Sequence, residues 1–248
     1  MRRAFKKTAE ENTKILHEEL AEFFEGVWSL AEKSSNVIDA NLVRIKDKGE
    51  ILDSTIVLRN IISDLCCCLD SLERGACRTI DNNLRMAFED YCCALQLNVD
   101  PKAYGLFLKE KFDISKAISF AKKYDQRYED FGELYGRFSN ISHHSRLILL
   151  ARQIVSIEND VICYAHLKPI NPTKLTAQIS KLSFIAFLLI EIGVLGEEIC
   201  LDLIDMPYFG CKTPEGYQRR LDTDEAIFIL RLAEKTNVIL NPPVFSRV

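Results

Sequence analysis

The chain has 248 residues, 48% of them hydrophobic and 27% charged, with only ten Gly and seven Pro. That composition supports a sizeable core and excludes a disordered chain, a collagen-like chain and a Pro-rich scaffold. At ~150 residues per domain the length fits one large domain or two small ones. Thirty-two basic and 36 acidic residues leave a net charge of −4, which argues against a surface given over to nucleic acid but leaves room for a local basic site.

In chain order, most of the sequence reads as helix. From about Thr8 to Lys33 the apolar positions Ile15, Leu16, Leu20, Phe23, Phe24, Val27, Leu30 and Ala31 recur at three-and-four spacing, with Glu and Lys opposite. A second run from about Ile51 to Leu72 meets a stop at Arg74-Gly75, and a third from Ala76 to about Leu97 ends before Asn98-Val99-Asp100-Pro101. Shorter helices are expected over 102–111 and 114–124, the second capped by Asp113, and a longer one from about Tyr128 to Leu150. The β-branched runs Ile154–Glu158 and Val161–His166 around Asn159-Asp160 predict one small β-hairpin near 153–167. After the break at Pro169 and Pro172, a long apolar helix is expected from about Thr173 to Ile204. A loop over 205–222, a helix over 223–235 and an irregular tail follow.

The fold class expected is therefore mainly all-α: a helical bundle with an N-terminal helical extension (1–48), a main helical domain (49–236) and an irregular tail (237–248). The basic N-terminus leads into a charged helix rather than an apolar signal sequence. The most apolar stretch, Phe184–Leu195, is short for a bilayer and holds Glu191. A cytoplasmic protein with no membrane partner is expected. Nine Cys, including Cys66-Cys67-Cys68 and Cys92-Cys93, lie mostly inside apolar runs with no C-x-x-C pair. They read as small buried hydrophobes in a reducing compartment, with no metal site and no cofactor.

Phosphate-binding glycine loops, zinc-protease signatures and nucleophile elbows are missing from the sequence. The informative segment is Tyr135-Gly136-Arg137-Phe138-Ser139-Asn140-Ile141-Ser142-His143-His144-Ser145-Arg146. No acidic residue occurs from Leu134 to Ile157, while Arg137, Arg146, Arg152 and both histidines do. In a net-acidic chain this is a local positive patch suited to an anion or phosphate; the bland alternative is a solvated helix face. At ~100° per residue, Tyr135, Ser139, Ser142, His143 and Arg146 share one side. Leu134, Phe138, Ile141, Ser145 and Ile148 form the expected buried stripe, and Arg137 and His144 line up beside it, so either histidine can meet an arginine.

A second polar set follows three-and-four spacing on the third helix: Arg78, Asp81, Arg85 and Glu89. It reads either as a structural ion-pair ladder, with Arg85 between Asp81 and Glu89, or as a functional face. In the latter, Glu89 orients an imidazole and Arg85 holds a phosphate.

These residues resemble the HEPN superfamily of small helical nucleotide-binding domains, in which four to six residues separate an arginine from the histidine that follows it. The match here is Arg137 with His143 or His144. The wider pattern is similar to a group of bacterial helical proteins with an Arg-x3-Glu helix, here Arg85–Glu89, followed by Tyr-x3-Ser-x3-His-x-Ser, here Tyr135, Ser139, His143 and Ser145. The resemblance covers residues 55–150. It implies metal-independent RNA cleavage with Arg137, His143 and His144 as catalytic candidates, and Arg85, Glu89, Tyr135, Ser139 and Arg146 as supporting or phosphate-binding groups. It also implies an RNA substrate, a homodimer that joins two Arg–His sets in one groove, and a setting in toxin–antitoxin or antiphage defence.

Phe138 stands where such ribonucleases carry a polar residue. Together with the acidic net charge and the amphipathic first helix, it motivates a second reading: a non-catalytic interaction or regulatory subunit that meets a cognate protein through the N-terminal helix. A third is a nucleotide-binding module using the same basic cleft.

Overall fold

The computed structural model describes residues 2–44, 49–75, 77–124, 154–158, 161–164, 170–173 and 175–199. The described chain is mainly helical. Its elements are α1 (Arg2–Arg44), α2 (Gly49–Glu73), α3 (Cys77–Val99), α4 (Pro101–Phe107), α5 (Ile114–Tyr124), β1 (Ile154–Glu158), β2 (Val161–Tyr164) and α6 (Thr176–Ile199). Helix α2 packs on α1, α3 and α6, and α6 also packs on α1 and α3; α4 and α5 lie against α3. The helices expected over 128–150 and 223–235, the loop over 205–222 and the tail 237–248 lie outside the described residues.

The apolar stripe of α1 runs further than its hydrophobic spacing alone indicated, through Leu16, Leu20, Phe23, Phe24, Val27, Leu30, Ala31, Val37 and Ile38, all buried. Two buried polar residues, Ser34 within the stripe and Asn41 beyond its end, are used as ties to α6. Ser34 Oγ donates to the Leu189 carbonyl at 2.7 Å, and Asn41 Nδ2 donates to the Gly196 carbonyl at 2.8 Å. A buried polar group is tolerated when it is bonded in this way. The segment 1–48, expected as an extension, thus carries a helix built into the common core, because its apolar face is covered by α2 and α6. On the outer face of α1, Lys6–Glu10, Lys7–Glu11 and Lys14–Glu18 form exposed i,i+4 pairs.

Helix boundaries follow local chemistry. Helix α2 stops at Gly75, whose φ of +70° suits a residue without Cβ; its N–H donates to the Leu72 carbonyl at 2.9 Å. A Cβ there would stand 2.7 Å from Asn12 Cβ. Asn12 in turn accepts the Ile170 N–H at 2.8 Å, so one side chain of α1 fixes both the α2–α3 turn and the segment that leads into α6. Pro101 stands in the first turn of α4, and Asp100 caps it by accepting the Lys102 N–H at 3.0 Å. Asp113 caps α5 by accepting the Ser115 N–H at 3.0 Å and its hydroxyl at 2.7 Å. The latter bond first, with Lys116 nearby, holds the Asp113 carboxyl below its ordinary range.

The hairpin pairs β1 and β2 antiparallel across the two residues Asn159-Asp160. Its register runs Glu158 opposite Val161, Ile157 opposite Ile162 and Ser156 opposite Cys163, then slips by one residue at Val155 to bring Ile154 opposite Tyr164.

Helix α6 is apolar almost all round. By length and composition Ala177–Ile199 could cross a membrane, yet most of it is buried inside the protein against α1, α2 and α3. Its buried polar residues Gln178, Ser183, Glu191 and Glu197 fit a protein interior, where partners can be placed, better than hydrocarbon.

Candidate functional site

Helix α3 sets out the polar side chains that the described residues contribute to a site. Leu84, Ala87, Phe88, Tyr91, Cys92 and Leu95 form its buried face, so the i, i+4 series Asp81, Arg85 and Glu89 runs along one flank. Arg85 Nε stands 3.2 Å from Glu89 Oε1, with side chains 25% and 13% exposed. Asp81 turns to a different helix: its Oδ1 lies 2.7 Å from Lys181 Nζ of α6, and both side chains are nearly buried. The ladder expected within α3 is therefore joined by an ion pair across the core, because α6 brings an ammonium to the N-terminal half of α3. Arg74 sits outside this set, paired with Asp70 at 2.7 Å on the surface.

Of the residues singled out in the sequence, the structure brings Arg85 and Glu89 together. Arg137, His143, His144, Tyr135, Ser139 and Arg146 lie outside the described residues. A guanidinium always carries its charge and has five N–H donors in a planar fork. The approach of Arg85 Nε to Glu89 is an ion pair one helical turn apart, and a guanidinium with other N–H donors of its fork can also meet a phosphate.

Three features of the polar interior were not legible as site residues. One is Lys181, a lone cation near the start of an apolar helix. The second is the Tyr91 hydroxyl, which donates to Glu191 Oε2 at 3.3 Å between α3 and α6, fully out of solvent. An acid inside an apolar run, as Glu191 is, signals an internal partner but not which one.

The third is a cleft of about 400 Å³ lined by Val57 of α2, Asp90, Cys93 and Leu97 of α3, Phe107 of α4, Glu110 and Phe112 of the connecting turn, and Ile114 of α5. Burial pushes the Asp90 carboxyl above its ordinary range, and the nearby Asp64 and Glu89 carboxylates push it the same way.

Cys66, Cys67, Cys68, Cys92 and Cys93 are free thiols. Burial raises Cys68 to about 12, with Asp64 adding to it, and raises Cys93 to about 12, with Asp90 and Glu89 adding. Burial lifts Cys92 far above the usual thiol range. Cys66 is raised too, by burial and Cys67 against the opposing Arg59. Thiols held protonated in this way are poor nucleophiles and poor metal ligands. Among the described residues no group of three or more His, Cys, Asp or Glu side chains is placed to hold a metal ion.

Comparisons of the chain with protein-family models, with curated proteins and with solved structures find no match.

Proposed function

We propose that this chain is a HEPN-like, metal-independent endoribonuclease that acts as a toxin or defence effector in a prokaryotic toxin–antitoxin or antiphage system. The observation that carries the reading is the Arg85–Glu89 pair, held 3.2 Å apart and partly open to solvent on α3 of a mainly helical fold. In the sequence that follows this Arg-x3-Glu helix, Arg137, His143 and His144 stand in an acid-free basic stretch.

In this reading one histidine accepts the proton of an RNA 2′-hydroxyl as its oxygen attacks phosphorus. The bond from phosphorus to the 5′-oxygen breaks, that oxygen receives a proton, and the products are a 2′,3′-cyclic phosphate and a 5′-hydroxyl. An imidazole titrating near neutral pH suits both transfers. Arg137 stabilises the extra negative charge on phosphorus. Arg85, Tyr135, Ser139 and Arg146 hold the flanking phosphates, and Glu89 orients Arg85. Two copies pair to form one groove.

RNA cleavage by the purified protein in EDTA tests this. Expected are cyclic-phosphate ends, a loss of ~10²–10⁴-fold in His143→Ala or His144→Ala, and a loss of ~10²–10³-fold in Arg137→Ala. No cleavage, or equal cleavage by all the variants, defeats the reading.

A specific observation favours a second reading, a non-catalytic interaction subunit. Phe107 and Ile114 line the cleft and are exposed, as are Leu106 and Leu108 beside Phe107 in sequence, and exposed apolar surface of this kind commonly meets a partner. The partner contact then lies at the α4–α5 turn rather than at the N-terminal helix, whose apolar stripe is covered within the bundle.

A further inference from the structure

The cleft beside α3 combines two properties that a solvated surface crevice does not need. Its walls are apolar, from Val57, Cys93, Leu97, Phe107, Phe112 and Ile114, and its polar lining consists of two carboxylates, Asp90 and Glu110. Lys109 and Lys111 flank Glu110 in sequence, but neither lines the cleft. The volume of about 400 Å³ is enough for one or two large side chains. Leu106 and Leu108 stand on either side of Phe107 in sequence and are 47% and 63% exposed. A polypeptide segment is long enough to cover these leucines together with the cleft, which a small ligand confined to the cleft does not do.

We propose that this cleft and its rim are a docking site for a protein segment that inserts an apolar side chain beside a lysine or arginine. The apolar group fills the space between Leu97, Phe107 and Ile114, and the cation lies between Asp90 and Glu110. Charge complementarity selects this occupant over an acidic or neutral one: both charged groups of the lining are carboxylates, the nearby Asp64 adds to the negative charge felt at Asp90, and burial makes the Asp90 charge costly, so a cation brought there gains more than at an exposed carboxylate. Such a partner complements the net charge of −4 as well. The proposal goes beyond the ribonuclease reading and does not depend on it.

Random peptides displayed on phage and selected on the full-length protein provide the probe. Selected peptides are expected to share a large apolar residue within a few positions of Lys or Arg. Their synthetic versions should bind about tenfold more weakly to Asp90→Asn/Glu110→Gln and severalfold more weakly to Leu108→Ser, whose exposed position spares the fold. Glu18→Gln/Asp70→Asn, which removes the same charge elsewhere, should leave binding unchanged.

Each of these results overturns the proposal: no shared sequence, an acidic one, equal weakening in the charge control, or peptide binding indifferent to Leu108→Ser but displaced by octylamine, which assigns a small cation. A wild-type dimer in sedimentation that Leu108→Ser dissolves overturns it too, by giving the surface to a second copy of the chain.

Discussion

Helices α3 and α6 meet in the same core, yet they are built on opposite plans. Helix α3 divides itself: Leu84, Phe88 and Tyr91 point inward, Met86 is 46% exposed, and Arg85 and Glu89 run along the boundary. Helix α6 has no such division. From Leu182 to Glu197 only Phe187 is less than buried, and polar Ser183, Glu191 and Glu197 are as enclosed as their apolar neighbours. An amphipathic helix needs one covered face, whereas a helix apolar all round must be covered on every side. Helix α6 achieves this by lying against α1, α2 and α3. Polar side chains then serve differently on the two helices. On α3 they mark the edge of the core, and on α6 they join helices through it.

The sharpest way to break that contrast is at the ion pair between the two helices. Lys181→Ala leaves the Asp81 carboxylate enclosed without its ammonium and should cost ~3–5 kcal/mol in chemical denaturation, while Asp81→Leu/Lys181→Met should return most of it. An equal loss in both variants indicates that packing, not charge, joins the helices there.

Next in size, Leu188→Ala on α6 should cost ~2–5 kcal/mol, whereas Met86→Ala on α3 should stay within ~0.5 kcal/mol. Similar costs at the two sites contradict the division of α3 into faces. A loss between those two is expected at the α1–α6 contact. A Cβ on Gly196 would stand 2.6 Å from Ile38 Cδ1 and 3.1 Å from Val37 Cγ1, so Gly196→Ala should cost ~1–3 kcal/mol through overpacking. Part of that strain can relax because the nearest atom ends a flexible side chain. Restoration by a simultaneous Ile38→Val ties the cost to this contact.

How far the chain was legible follows the same contrast. The α5 bounds and its Asp113 cap, the stop at Gly75 and the two strands around Asn159-Asp160 come from local signals: a capping oxygen, a glycine at the helix end and β-branched runs. Helix α1 was underestimated at its C-terminal end because Ser34 and Asn41 look like interruptions until the α6 carbonyls are placed opposite them. Of the candidate site, the Arg85–Glu89 spacing was visible because i, i+4 neighbours face each other in any helix. Lys181 as the partner of Asp81 was not, since the two lie a hundred positions apart in sequence. Nor was the cleft, whose walls come from α2, α3, α4 and α5.

What the sequence by itself determined is the local layer: where helices begin and end, which faces of α1 and α3 are apolar, and which charges stand one turn apart. These depend on interactions within a few residues, where backbone geometry leaves little choice. Only the tertiary structure decided that α6 belongs inside the protein, that the stripe of α1 is covered by its own chain, and that Tyr91 meets Glu191. A helix without an amphipathic direction carries no instruction about its neighbours. Its surroundings are set by the hydrophobic faces the other helices must bury and by the few polar groups that must find partners once water is gone.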